Sequence, residues 1–140
     1  MRVLIMAKEG EQSEAATPPT PEAMAEYQKF NEELVKAGVV LEAGRLYPSS
    51  QSKRVRFDGK KRTVIDGPFT ETKELIAGFW LWQVKSIEEA VEWIRRSPFQ
   101  KGNEEIEIRR VFEAEDFGAN LTPELRAQEA QQRERAAGKH

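Results

Sequence analysis

The sequence predicts an α+β protein in which an antiparallel sheet carries two helices on one face. The first observation is the order of the predicted elements: strand, helix, strand, hairpin, strand, helix, strand. The second is the dipeptide Asp58-Gly59, a strong hairpin signal, which lies between two runs of alternating apolar and charged residues. Together they indicate a ferredoxin-like split βαβ plan with a hairpin inserted at its centre.

The first half of the chain opens with a short apolar strand at residues 2–7. Thr20 is placed to cap a helix, Pro21 suits its first turn, and Gly38 ends it. A second strand is predicted over residues 39–46. The apolar side chains predicted to share one side of the helix are Met24, Tyr27, Leu34 and Val35.

The second half begins with the hairpin strands, residues 53–57 and 61–65, whose alternating pattern predicts one solvated face. An apolar strand follows at residues 77–84. The capping box at residues 86–89 then opens a helix, and the last strand is expected at residues 105–112. The predicted inner face of this helix consists of Ile87, Ala90, Val91 and Ile94.

Composition suits one domain at residues 1–116 followed by a polar, helical tail at residues 117–140. The chain has 22 Lys and Arg against 24 Asp and Glu, so a nucleic-acid partner is not expected. It has no cysteine, which excludes disulfides, thiolate catalysis and cysteine-ligated metals. The apolar run near the start is too short for a signal peptide, and no run reaches membrane-spanning length. We therefore expect a cytoplasmic protein without a membrane partner.

The apolar strand at residues 77–84 predicts a partner of a different kind. Trp80 and Trp82 share one face of this strand, whereas Phe79 and Leu81 share the other. Helices on one side of the sheet leave the second apolar face open to solvent, and such a face favours association. The sequence therefore predicts a homodimer whose two sheets pack face to face.

The run from Ile65 to Glu74, which contains Asp66-Gly67-Pro68-Phe69 and leads into Gly78-Phe79-Trp80, resembles the signature of the YCII-related (DGPF-type) proteins of bacteria. The resemblance covers about residues 1–113 and also includes the helix stop at residues 37–39. It implies a dimeric α+β barrel with a small-molecule cleft beside the sheet, by analogy with muconolactone isomerases and monooxygenases of similar architecture. It also implies a regulatory context linked to extracytoplasmic sigma factors.

The chain departs from that family in one respect. Some YCII-related proteins pair a histidine with an aspartate in an active site, but here the single histidine is His140, the last residue. No histidine-dependent mechanism or haem ligation by a core histidine can be carried over.

Asp66 is the first candidate for catalysis. Beside Ile65, Pro68 and Phe69, its carboxylate would be partly desolvated and suited to proton abstraction as a general base. The alternative, which we favour, is a structural turn in which Asp66 accepts hydrogen bonds from the backbone that follows.

Five further residues are candidates for the same site. Lys73 would polarise a carbonyl or orient an anion, and Glu71 lies beside it, although both also suit a solvated turn. Arg45 would bind a substrate carboxylate, or pair with Glu42 or a backbone carbonyl. Phe69 and Trp80 would line an aromatic pocket, but strand aromatics more often form core or interface.

Two functions follow from these observations. The chain has no glycine-rich phosphate loop and no converging set of metal ligands, so no cofactor and no metal are expected. The favoured hypothesis is a dimeric module that binds a small molecule near residues 66–69, without turnover. The alternative is a cofactor-free isomerase or lyase for a small carbonyl or lactone, with Asp66 as general base and Lys73 or Arg45 stabilising an enolate.

Overall fold

The elements of the fold are taken from a computed structural model, which describes residues 1–10, 18–71, 74–101 and 104–139. The strands are β1 (Arg2–Lys8), β2 (Val40–Arg45), β3 (Lys53–Asp58), β4 (Lys61–Asp66), β5 (Ile76–Gln83) and β6 (Ile106–Arg110). The helices are α1 (Pro21–Lys36), α2 (Ile87–Arg95) and α3 (Pro123–Ala137). Short 3-10 turns lie at Ser49–Gln51, Pro98–Lys101 and Ala114–Asn120.

Four strands form an antiparallel sheet in the order β2-β5-β1-β6, and β3 and β4 form a separate antiparallel pair. Ile5 on the central strand β1 is paired with both Trp80 on β5 and Ile108 on β6. Within the described residues the sheet is open, because its edge strands β2 and β6 do not pair with each other. The prediction of an α+β fold is confirmed, and the single chain contains no closed barrel in the part described.

The core lies between one face of this sheet and helices α1 and α2. Trp80 is at its centre, stacked on Tyr27 at 5.4 Å between ring centroids and in edge contact with Phe30 at 5.9 Å. Full burial of a Val, Leu, Ile or Phe side chain stabilises a fold by roughly 1.5–3 kcal/mol. The buried cluster comprises Val3, Ile5, Phe30, Leu34, Val39, Trp80, Trp82, Val84 and Ala90.

Helix α1 begins and ends where the sequence predicts. Thr20 caps it by accepting a hydrogen bond from the Ala23 amide at 3.1 Å, and Gly38 follows its last turn at φ 71°. Its buried face differs from the prediction in part. Phe30 and Leu34 are buried, whereas the predicted inner residues Met24 and Val35 are more than half exposed. Tyr27, Phe30 and Leu34 follow the i, i+3, i+7 spacing of one stripe, and Met24 and Val35 lie to one side of it.

The hairpin differs from the prediction in its exposure. Its strands pair from Lys53 opposite Asp66 to Asp58 opposite Lys61, and Gly59 turns the chain at φ 58°. Every residue of β3 is exposed, and on β4 only Ile65 is partly buried. Both faces are therefore solvated, rather than the single face predicted, because β3 and β4 do not join the main sheet.

The chain divides into two compact units, residues 1–110 and residues 111–140. In the second unit Phe112 and Phe117 make an edge-to-face contact at 5.2 Å. Thr122 caps α3 through the Leu125 amide, and no residue of α3 is buried. None of the helices in the described ranges is both long enough and apolar enough to cross a bilayer.

Candidate functional site

The loop that follows β4 is held against the 3-10 turn at Ser49–Gln51. The Gly67 amide donates a hydrogen bond to the Ser52 carbonyl at 2.9 Å. The Phe69 amide donates to the Ser49 Oγ at 3.0 Å, and the Gly67-Pro68 peptide bond is cis. These two amides are therefore engaged by the turn and do not donate to Asp66. The structural interpretation of Asp66 required them to do so.

Gly67 allows the two segments to approach this closely. A Cβ at this position would lie 1.7 Å from the Ser49 carbonyl oxygen, far inside van der Waals contact. Any other residue here would separate the loop from the turn. Glycine is required because of this close approach of two backbones.

Asp66 points away from this contact and into solvent. Its Oδ1 lies 2.5 Å from the Nζ of Lys53, and the two side chains are 72% and 69% exposed. An ion pair of this kind contributes about 0–1 kcal/mol, since solvent screens it. The carboxylate is therefore beside a cation, but it is not desolvated.

A cleft of about 290 Å³ opens beside the joined segments. It lies where β1 and β2 end and β5 begins, and backbone hydrogen bonds hold its walls together. The Glu9 amide donates to the Leu75 carbonyl at 2.9 Å, and the Leu46 amide donates to the Ala77 carbonyl at 2.8 Å. The lining residues are Glu9, Leu46, Tyr47, Ser49, Ser52, Phe69, Leu75 and Ile76.

The lining combines apolar walls with a few polar groups. Ser49 Oγ accepts the Phe69 amide, and Ser52 Oγ donates to the Pro48 carbonyl at 3.4 Å, so both hydroxyls are fixed in position. Glu9 supplies a carboxylate, and Tyr47 supplies a phenol that is 78% exposed. Such a mixture of apolar surface and oriented polar groups is typical of small-molecule sites.

One cation of the hairpin contacts the wall of the cleft. The Arg54 guanidinium lies 3.7 Å from the centroid of the Phe69 ring, which is a cation–π contact. Phe69 is therefore in contact with β3 while it also lines the cleft. Among the described residues, no cluster of three or more His, Asp and Glu side chains has the geometry of a metal site.

Of the residues proposed from the sequence, Phe69 lines the cleft, whereas Asp66, Glu71 and Arg45 do not. Glu71 is exposed, and Arg45 is exposed at the end of β2. Trp80 is 4% exposed and belongs to the core cluster. Lys73 and His140 lie outside the described residues.

The sequence reasoning did not identify Glu9, Tyr47, Leu75 or Ile76 as cleft residues. The signal that relates Glu9 to Leu75 is the pairing of β1 with β5, since these two residues follow and precede that ladder. Ser49 and Ser52, which the sequence also did not indicate as cleft residues, anchor the Asp66–Phe69 loop.

The fold and the cleft define a class: a small α+β domain with an open antiparallel sheet and a cleft at the end of its strands. The chain matches the YCII-related domain family over residues 1–115, and it belongs to that family. It is also similar to an uncharacterized protein of Rhizobium meliloti (strain 1021), with 33% identity over 72 residues. That match spans 51% of this chain and 58% of the relative.

Proposed function

We propose that this protein is a dimeric binding module that takes a small molecule in the cleft beside the Asp66–Phe69 loop. The observation that supports this most is the docking of that loop on the turn at Ser49–Gln51. Hydrogen bonds from two backbone amides, together with the close approach of Gly67 to Ser49, hold Phe69 at the cleft wall. A site built in this way is preorganised, which lowers the cost of ordering it around a ligand.

The lining favours a compact ligand with an apolar body and polar groups at one end. Leu46, Phe69, Leu75 and Ile76 provide apolar contact area, and Glu9 and Tyr47 provide polar contacts. A volume of about 290 Å³ is just below the range of about 300–1,000 Å³ for ligand pockets, which favours a small ligand.

The alternative is a cofactor-free isomerase or lyase in which Asp66 abstracts a proton from a small carbonyl or lactone. A general base of this kind benefits from desolvation, which raises the pKa of a carboxylate towards neutrality. Asp66 is exposed, is paired with Lys53 and does not line the cleft. These observations favour binding over turnover.

We further propose a ferredoxin-like arrangement that dimerises through its open sheet face. The strand order β2-β5-β1-β6, with helices after β1 and β5, is compatible with the split βαβ plan. The face turned away from the helices carries Leu4, Met6, Phe79 and Leu81, placed side by side by the pairing of β1 with β5. Met6 is only 8% exposed and the other three are partly buried, so a second copy would cover the remaining exposed part of this apolar strip and complete a dimeric barrel.

The binding proposal is tested by a thermal-shift screen of small carbonyl compounds, lactones, amines and aromatic acids. A ligand at about a hundred times its dissociation constant stabilises the protein by roughly 2.7 kcal/mol. Tyr47→Ala, at an exposed lining position, is expected to reduce this shift. Phe57→Ala removes a similarly exposed aromatic ring away from the cleft and is the matched control.

The outcomes separate the two functions. A shift that Tyr47→Ala reduces and Phe57→Ala preserves supports the cleft as the site. A shift that both variants preserve would place the ligand elsewhere. Conversion of the bound compound by the wild type, abolished by Asp66→Asn, would favour the enzyme over the binding module.

A further inference from the structure

We propose that the hairpin β3–β4 is a docking surface for an extended, acidic protein segment. The first observation is its charge. The fourteen residues from Lys53 to Asp66 contain six Lys and Arg and only two Asp, although the whole chain is slightly acidic. This local excess of positive charge favours an anionic partner.

The second observation is an apolar strip on one face of the hairpin. Val55 is paired with Val64, and Phe57 lies next along the same face. Their side chains are 53%, 60% and 69% exposed, respectively. The Arg62 guanidinium lies 4.6 Å from the centroid of the Phe57 ring, so a cation borders the strip directly.

The third observation is the free edges of the hairpin. In the described part of the chain, β3 and β4 pair only with each other. Alternate residues of each strand therefore direct N–H and C=O groups outwards, where an added strand can bond to them. A two-stranded ribbon alone is marginally stable in water, and a third strand would stabilise it.

The opposite face of the hairpin carries three more of the cations, one of which, Arg54, is stacked on the Phe69 ring. Arg54, Arg56 and Lys61 alternate with the residues of the apolar strip and thus project to the other side. A strand added at either edge would present successive side chains to these two faces in turn. The matching partner therefore alternates apolar residues with Asp or Glu.

Nucleic acid and membranes match these features less well. Phosphates would satisfy the cations, but a nucleic acid offers neither a peptide backbone for the free edges nor aliphatic side chains for Val55 and Val64. The hairpin tip is Asp58-Gly59-Lys60-Lys61, which gives no apolar wedge for insertion into a bilayer.

The test uses a fluorescein-labelled eight-residue peptide with Glu and Val in alternation, titrated with the full-length protein and followed by fluorescence anisotropy. The peptide is kept at low nanomolar concentration so that it does not self-associate. We expect saturable binding that weakens as salt is added. A peptide with the same composition but with Glu and Val in two blocks is expected to bind more weakly, because it cannot match both faces.

Two variants locate the binding. Arg56→Glu and Phe57→Glu are each expected to weaken the affinity for the alternating peptide by about tenfold or more, since they replace attraction with repulsion or remove the apolar contact. Lys29→Glu makes the same charge change at an exposed position on α1 and is expected to leave the affinity unchanged. The substituted positions are exposed, and thermal melts check that each variant is folded.

Several results would overturn the proposal. One is the absence of saturable binding at protein concentrations up to about 1 mM. Others are equal losses for Lys29→Glu and Arg56→Glu, or tighter binding of a DNA duplex or of phosphatidylglycerol vesicles than of the peptide. A change of elution volume in Phe57→Glu would instead make the hairpin an interface between copies of this chain.

Discussion

The residues of the Asp66–Phe69 loop have separate roles. Gly67 permits backbone contact with Ser49, Phe69 supplies a ring to the cleft, and Asp66 faces solvent beside Lys53. The acidic residue, which attracts attention first in the sequence, contributes least to the geometry of the cleft. Gly67 and Phe69 contribute more, because Gly67 lets the loop dock and Phe69 forms part of the cleft wall.

Gly67→Ala is expected to destabilise the protein by about 1–3 kcal/mol, because its Cβ would overlap the Ser49 carbonyl. Urea unfolding measures the change in the free energy of unfolding. Gly10→Ala is the control, since a Cβ at Gly10 meets nothing within 4 Å. Equal stability of the two variants would mean that the loop does not dock as described.

The burial of Tyr27 leads us to expect that the stability of the protein depends on pH. Burial raises the pKa of its hydroxyl above the ordinary value of 10.0, so the folded state retains a proton that the unfolded state releases. The stabilising contribution is therefore present below pH 10 and is lost as the pH rises above it. The free energy of unfolding is expected to fall less for Tyr27→Phe than for the wild type between about pH 9 and about pH 11. An equal fall would show that Tyr27 is not protected from water.

At the scale of elements, helix α1 shows how far an apolar pattern can predict packing. Its cap, its stop and its amphipathic character are all local and were correct. The prediction of which apolar residues face inwards was correct only in part, because the sheet contacts one stripe of a broader apolar surface. Leu34 is fully buried, and its neighbour Val35 is more than half exposed.

Leu34→Ala is therefore expected to cost about 2–5 kcal/mol, whereas Val35→Ala is expected to cost less than about 1 kcal/mol. Chemical denaturation of both variants checks this difference. Similar losses would indicate that α1 presents a wider face to the sheet than Phe30 and Leu34 indicate.

The elements could be predicted from the sequence because their signals are local. The strands of the main sheet and both of its helices differ from the prediction by a few residues at their ends. The exposure of the hairpin and the composition of the cleft depend on contacts between distant segments. Ser49 and Phe69, or Glu9 and Leu75, are brought together only by strand register and by the close fit at Gly67.

For the molecule as a whole, the sheet face turned away from the helices has consequences for the proposed assembly. Leu81 lies on the side of β5 opposite Trp80 and Trp82, away from the helices. An apolar strip of this kind on a four-stranded sheet favours association with a second copy.

Leu81→Glu is expected to convert a dimer into a monomer at micromolar concentration, because it places a charge at the centre of the proposed interface. Light scattering after size-exclusion chromatography gives the mass. Leu125→Glu makes the same substitution at an exposed position of α3 and should leave the mass unchanged. A wild-type monomer would contradict face-to-face packing.

Removal of the residues after Leu121 deletes α3, which has no buried side chain. The melting temperature is therefore expected to change little, since little apolar area is lost. Differential scanning calorimetry of the shortened and full chains measures the effect. A large fall would show that α3 packs against protein surface.

The contact between Arg54 and Phe69 joins the cleft to the hairpin. Phe69 lines the cleft, and Arg54 belongs to the hairpin. The open end of the hairpin is fixed by the hydrogen bond from the Gly67 amide to the Ser52 carbonyl. If a small molecule in the cleft or a peptide on the hairpin changes the contact between Arg54 and Phe69, the binding of the two ligands is thermodynamically linked. Linkage is reciprocal, so a small molecule that strengthens peptide binding by some factor must itself bind more tightly by the same factor when the peptide is present.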